Sequence, residues 1–188
     1  MTQNIAVADK TETPVLNAEL MQIIGGTLLI ALLSQIQIPL PFTPVPLSLQ
    51  TFAVMLVGGI IGSKNGAIAT ILYLAQIAWG FPVTAGGGVN PLALIGPSGG
   101  YLIGMVMQAY LVGWLFERRA EFSPWKLFFG TLAVSFVQMG IGTVWLAQFV
   151  GWSHAPVMGF FPFVPGDILK VTAAVTLSKK VKNTFFPG

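Results

Sequence analysis

The chain has no cysteine and a single histidine among its 188 residues. The first absence excludes disulfides, thiolate metal ligands and a thiol nucleophile, and one histidine leaves no ligand set for an all-protein transition-metal site. Charge is nearly as scarce: Asp, Glu, Lys and Arg make up 8% of the residues against 54% hydrophobic, with a mean hydropathy of +0.79. Soluble domains carry about 25% charged residues, so the composition is that of an integral membrane protein embedded in a lipid bilayer. The sequence pI of about 9.4 does not indicate a nucleic-acid partner, because the basic residues stand in ones, twos and threes at the ends of apolar runs, where they orient spans. No G-x-x-x-x-G-K-[ST] occurs, and G-I-I-G-S-K-N-G at 59–66 lacks the order a phosphate-binding loop needs. Residues 1–16 hold Asp9, Lys10 and Glu12 without the apolar core of a signal peptide. They are expected to form a mobile tail ahead of a single membrane domain at 17–188.

Apolar segments at 18–38, 48–63, 65–80, 99–116, 126–149 and 164–179, each closed by Pro, Gly or charge, predict an all-α membrane protein: a compact bundle of six transmembrane helices. Lys64, Arg118 with Arg119 and Lys126, and Lys179, Lys180 and Lys182 fall on one side, while the connections on the other side carry no charge beyond His154. The positive-inside rule then places both termini in the cytoplasm. The outward connections at 39–47, 80–98 and 149–166 are rich in Pro or Gly. Stiff proline backbone, joined to a Gly86–Gly88 run that permits close approach, suits a shaped cap over a pocket. At membrane depth such irregular backbone is tolerated where protein covers it or it lines a cavity.

Within the stretch Phe160–Lys182, Lys170 stands nine positions from Lys179, roughly 14 Å along a helix and about half of a ~30 Å hydrocarbon core. Asp167 is three residues earlier, on the same helix face, where the two can pair or share a ligand. Ionisable residues at such depth mark substrate or ion sites, or a salt bridge that ties helices together. Gln50 and Thr51 open the second segment, Asn90 lies in the glycine-rich connection and Tyr101 just inside the fourth segment. Thr51 reads more simply as a cap residue. One carboxylate, one ammonium, two amides and a phenol suit an uncharged ring with N–H donors and a carbonyl, attached to an acid.

P-L-P-F-T-P-V-P-L-S-L-Q-T at 39–51, G-F-P-V-T-A-G-G at 80–87, G-P-S-G-G-Y-L at 96–102 and F-V-P-G-D-I-L-K at 163–170 resemble the motifs of the BioY family, the biotin-specific substrate-binding components of energy-coupling-factor (ECF) vitamin transporters. The resemblance covers nearly the whole chain after residue 20. It implies a six-helix bundle in a bacterial plasma membrane that captures biotin at high affinity from the outer face, with Gln50, Asn90, Tyr101, Asp167 and Lys170 as ligand-binding residues. It implies as partners one transmembrane coupling subunit and two ATPase subunits, so that this chain is no enzyme and has no cofactor of its own. Related components carry a small-residue Ala-x-x-x-Ala strip on the first helix that docks the coupling subunit. Thr27 to Ala31 is the nearest match here.

Two other readings start from the same residues. Gly96, Pro97, Ser98, Gly99 and Gly100 satisfy G-x-S-x-G and the shorter G-x-S-G that opens a helix in rhomboid-type intramembrane serine proteases. His154 would then be the base. Alternatively, Asp167 would couple an ion gradient in a secondary transporter.

Overall fold

A computed structural model describes residues 13–185. The apolar segments are helical: α1 Thr13–Ser34, α2 Gln50–Ile61, α3 Ser63–Ala78, α4 Gly99–Glu117, α5 Pro124–Val150, a short α6 Ala155–Gly159, and α7 Val164–Phe185. The six long helices coincide with the six expected segments, with shifted ends. Of the expected N-terminal tail, residues 13–16 belong to α1, and residues 1–12 lie outside the described residues. At its other end α1 stops at Ser34, short of the expected residue 38. Prolines at 39, 41, 44 and 46 cannot continue a helix. The chain instead makes a two-stranded antiparallel ribbon, β1 Gln37–Ile38 against β2 Leu47–Ser48, with Gln37 opposite Ser48 and Ile38 opposite Leu47.

Four helical stretches are long and apolar enough to cross a membrane: Asn17–Ser34, Gly99–Glu117, Pro124–Val150 and Ala155–Lys182. The 12 residues of α2 reach only about 18 Å, so this helix begins partway into the bundle. α4 is the most enclosed of the four, packing on α2, α3 and α5. Large apolar side chains point outward on α1, α3, α4, α5 and α7, among them Leu28, Leu32, Ile71, Ile103, Val137, Val144 and Leu169, as suits a lipid-facing surface. Buried apolar residues form three clusters. One, around Ile30, Val54, Tyr73 and Met105, joins α1 to α4. A second, around Met55, Phe116, Leu127 and Val171, joins α2, α4, α5 and α7. The third, Val45, Tyr101, Met139, Leu146 and Phe163, lies under the long connections.

At the opposite end the helices are tied by polar contacts that stop their ends abruptly. Gly62 has φ +93°, a conformation favourable only to glycine, which lets α2 turn directly into α3. The Glu117 carboxylate at the end of α4 accepts from the Ser63 backbone N–H at 2.6 Å and from its hydroxyl at 2.8 Å. An anion thus caps the first turn of α3. Lys182, in the terminal basic cluster, turns into the bundle. It is 7% exposed, and its Nζ donates to the Phe116 carbonyl at 3.5 Å, a cation at the carbonyl end of α4.

Small residues let α2, α3 and α4 approach backbone to backbone. A Cβ on Gly66 would stand 2.7 Å from the Gly58 Cα, and Gly58 in turn lies against the Ala109 backbone. Close approach of this kind holds membrane helices together where lipid offers no hydrophobic driving force. Gly66→Val is therefore expected to destabilise the bundle by about 1–3 kcal/mol, seen as a lower melting temperature in detergent. Gly25→Val, at a position with nothing within 4 Å, should leave it nearly unchanged.

Candidate ligand-binding site

The first turn of α7 supplies the ionisable residues. Val164 and Pro165 open the helix, proline being pre-set for that position, and the Asp167 backbone N–H donates to the Phe163 carbonyl at 2.8 Å. Asp167 is 3% exposed. Its position in the first turn sets its negative charge against the free N–H groups of the helix end, a favourable arrangement. The Ser135 hydroxyl and the Lys170 ammonium lie within electrostatic reach of it. Direct pairing of Asp167 with Lys170 is not formed. Lys170 Nζ reaches across to α2 and donates to Thr51 Oγ1 at 3.1 Å, while Asp167 Oδ2 has no hydrogen-bond partner. Thr51, expected to be a plain cap residue, thus holds the lysine.

These groups line a cavity of ≈ 210 Å³ beneath the long connections. Gln50, Thr51, Asn90, Tyr101, Asp167 and Lys170 all face it, so residues far apart in sequence meet at one place. Pro44, Val45, Pro46, Thr84 and Ala85 contribute from the connections, and Leu102, Met105, Met139 and Phe163 give the wall apolar surface. A concave site with a few convergent polar groups among apolar ones is the usual form of a small-molecule pocket.

The polar residues differ in what they leave free. Gln50 is 6% exposed; its Nε2 donates to the Tyr73 hydroxyl, and its Oε1 accepts from Ser48 Oγ at 3.0 Å. The Tyr73 hydroxyl passes on to the Val83 carbonyl at 2.7 Å, which also accepts from Ser34 Oγ at 2.7 Å. Gln50 therefore anchors the 80–98 connection to α1, α2 and α3. Asn90 is exposed and stands at the start of the Pro91–Leu94 turn, at the rim.

Tyr101 was expected to complete the polar shell with its phenol. Instead its hydroxyl donates to the Gly159 carbonyl at 2.7 Å and lies 3.3 Å from Thr143 Oγ1. The ring sits where Gly142 and Gly159 lack a Cβ, and faces Phe163 at 6.3 Å between centroids. What it offers the cavity is an aromatic wall.

Sequence reasoning missed a polar face on α5. Thr131, Ser135 and Gln138 are each 0% exposed, at helical spacing on the side turned toward α4 and α7. Gln108 Nε2 donates to Ser135 Oγ at 3.0 Å, and Gln138 lines the cavity. The available signal was the set of polar residues recurring three and four apart inside an apolar run.

The other expectations separate clearly. Ser98 lines the cavity, whereas His154 is exposed and 3.3 Å from its neighbour Ser153. The expected pairing of Ser98 with His154 is not formed. Thr27 and Ala31 do not present a docking face: Thr27 is 3% exposed with its hydroxyl donating to the Ile23 and Ala69 carbonyls at 2.9 and 3.0 Å, and Ala31 is 8% exposed in the core. Small residues let α1 lie against α3. The outward face of α1 is instead Met21, Ile24, Gly25, Leu28 and Leu32.

Because the Tyr101 hydroxyl satisfies a carbonyl inside the bundle, Tyr101→Phe should cost about 1–3 kcal/mol of stability. A thermal melt in detergent reads that loss directly.

Comparison with known proteins gives a consistent picture. The profile of the BioY family matches residues 4–186. The probable biotin transporter BioY of Pyrococcus horikoshii is 34% identical over 147 residues, covering 78% of this chain and 86% of that protein. The biotin transporter BioY of Lactococcus lactis subsp. cremoris is 32% identical over 156 residues, covering 78% and 80%. A crystal structure of the S-component for biotin from an ECF-type ABC transporter superposes with a TM-score of 0.78 at 28% identity, covering 94% of this chain and 95% of that one. A six-helix membrane fold, a loop-covered cavity and a whole-length family match make this a transporter component rather than an enzyme. The chain belongs to the BioY family.

Proposed function

We propose that this chain is the biotin-specific substrate-binding component of an ECF-type importer and captures biotin in the cavity beneath the long connections. The observation that carries the reading is a buried carboxylate with a free oxygen, Asp167 Oδ2, in the wall of that cavity. A fixed acceptor taken out of water is costly unless a ligand donor meets it. The ureido ring of biotin brings two N–H donors and a carbonyl. Asp167 accepts from the ring, and Lys170, held by Thr51, and Asn90 supply donors for the carbonyl or for the valerate carboxylate. Tyr101, Phe163 and the methionines enclose the apolar part of the ligand.

The wider assembly belongs to the same proposal. With no phosphate-binding loop in its sequence, the chain depends on partner ATPases, joined through a transmembrane coupling subunit, to drive import. The connections face outward and both termini face the cytoplasm of a bacterial plasma membrane, in keeping with the distribution of Lys and Arg. Thr27 and Ala31 are already packed within the bundle, so contact with a coupling subunit falls to other residues.

Replacing the charged acceptor tests the site. Asp167→Asn should weaken biotin binding by about 2–4 kcal/mol, roughly 30- to 1,000-fold, in calorimetric titration of the purified protein. His154→Ala, at an exposed residue outside the cavity, should bind as the parent does. An Asp167→Asn protein that binds biotin within threefold of the parent would place the site elsewhere.

A further inference from the structure

Five buried side-chain atoms among the described residues have no hydrogen-bond partner. Two belong to residues that line the cavity, Asp167 Oδ2 and Gln138 Oε1, and both are acceptors. The proposed function uses the first and leaves the second unexplained. Gln138 is 0% exposed in the middle of α5, where an unpaired amide carbonyl is costly. Its orientation is fixed, because Nε2 donates to the Tyr101 carbonyl at 2.9 Å. Turning the amide over would set two carbonyl oxygens against each other. The side chain is confined as well: a Cβ on Gly104 would stand 3.2 Å from Gln138 Cγ. Gln138 thus holds a carbonyl in place with nothing of the protein to receive.

We propose that Gln138 is a second ligand acceptor and a specificity-determining residue, its Oε1 receiving one ring N–H of the ligand while Asp167 receives the other. This rests on the reading of the cavity as a biotin site. Two fixed acceptors on residues that line one cavity, with Lys170 and Asn90 as donors, complement a cyclic urea: two N–H groups flanking a carbonyl. A ring with one N–H leaves one acceptor bare. A site built to hydrogen-bond a donor rejects the analogue that lacks it, because its own buried group is then unpaired.

The test is a cycle of protein against ligand. The parent and Gln138→Met, which keeps the length of the side chain without the acceptor, are titrated with biotin and with two analogues in which one or the other ring N–H is replaced by CH2. The parent should lose about 10- to 100-fold in affinity for either analogue. Gln138→Met should lose a similar factor for biotin, yet bind one of the two analogues within threefold of the parent. Equal loss for biotin and both analogues means that Gln138 only supports the fold, and overturns the proposal. Unchanged biotin affinity in Gln138→Met also overturns it. Should the variant not fold, the parent alone decides, since full affinity for either analogue leaves no role for a second acceptor. A parent that binds no biotin overturns the underlying reading as well, whereas a parent that binds biotin without this coupling overturns the role of Gln138 alone.

Discussion

Inside a bundle surrounded by lipid, a carboxylate is tolerable only where fixed groups replace the water it has lost. Asp167 meets that constraint through its place in the chain. Val164 and Pro165 start α7 below the long connections, so the acid falls in the first turn, at the positive end of the helix, with Ser135 and Lys170 within reach. Lys170 is in turn held off by Thr51 on α2, and this leaves one carboxylate oxygen unclaimed. The lengths of the neighbouring helices follow from the same need. Because α2 begins at Gln50, partway into the bundle, its first residues form part of the cavity wall.

The cover over the cavity is tied down by side chains that look inward. Ser34, Gln50 and Tyr73 converge on the Val83 stretch, and the Tyr101 hydroxyl holds Gly159 of α6. Two of the three long connections are thereby fastened to the helices beneath them by hydrogen bonds. Their irregular backbone is thus covered or lines the cavity. At the other end, Glu117 on Ser63 and Lys182 on Phe116 hold the short α2–α3 turn and α7 against α4. The fold is pinned at both ends, and the space lies at one of them.

Much of this was legible in the sequence because polar residues are so rare in it. In an apolar chain, Asp167, Lys170, Gln50 and Asn90 stand out, and the structure brings all four to the wall of one cavity. The helices were legible from hydropathy, although Pro39 to Pro46 turned expected helix ends into a short ribbon. What failed were inferences about direction. Thr27 and Ala31 have the spacing of a helix contact, but spacing does not say which helix is contacted, and the Ala69 carbonyl that receives the Thr27 hydroxyl is invisible until α3 is in place. Tyr101 stands at the cavity, yet whether its hydroxyl or its ring faces inward depends on two glycines 41 and 58 residues further on. Gln138 is one of two amides in the 24-residue apolar segment 126–149, and nothing in the sequence marks which of Gln138 and Gln148 turns inward. Lys182 stands in a terminal basic cluster with Lys179 and Lys180, and its turn into the bundle depends on the Phe116 carbonyl of α4.

The central claim is that the loop-covered cavity at the head of α7 is where biotin is held. A crystal structure of the purified chain with biotin tests it most directly. The account predicts density for the ureido ring inside the cavity, within hydrogen-bonding distance of Asp167, with the long connections closed over it. Density for biotin elsewhere on the molecule, or a ring in the cavity that makes no contact with Asp167, would contradict it.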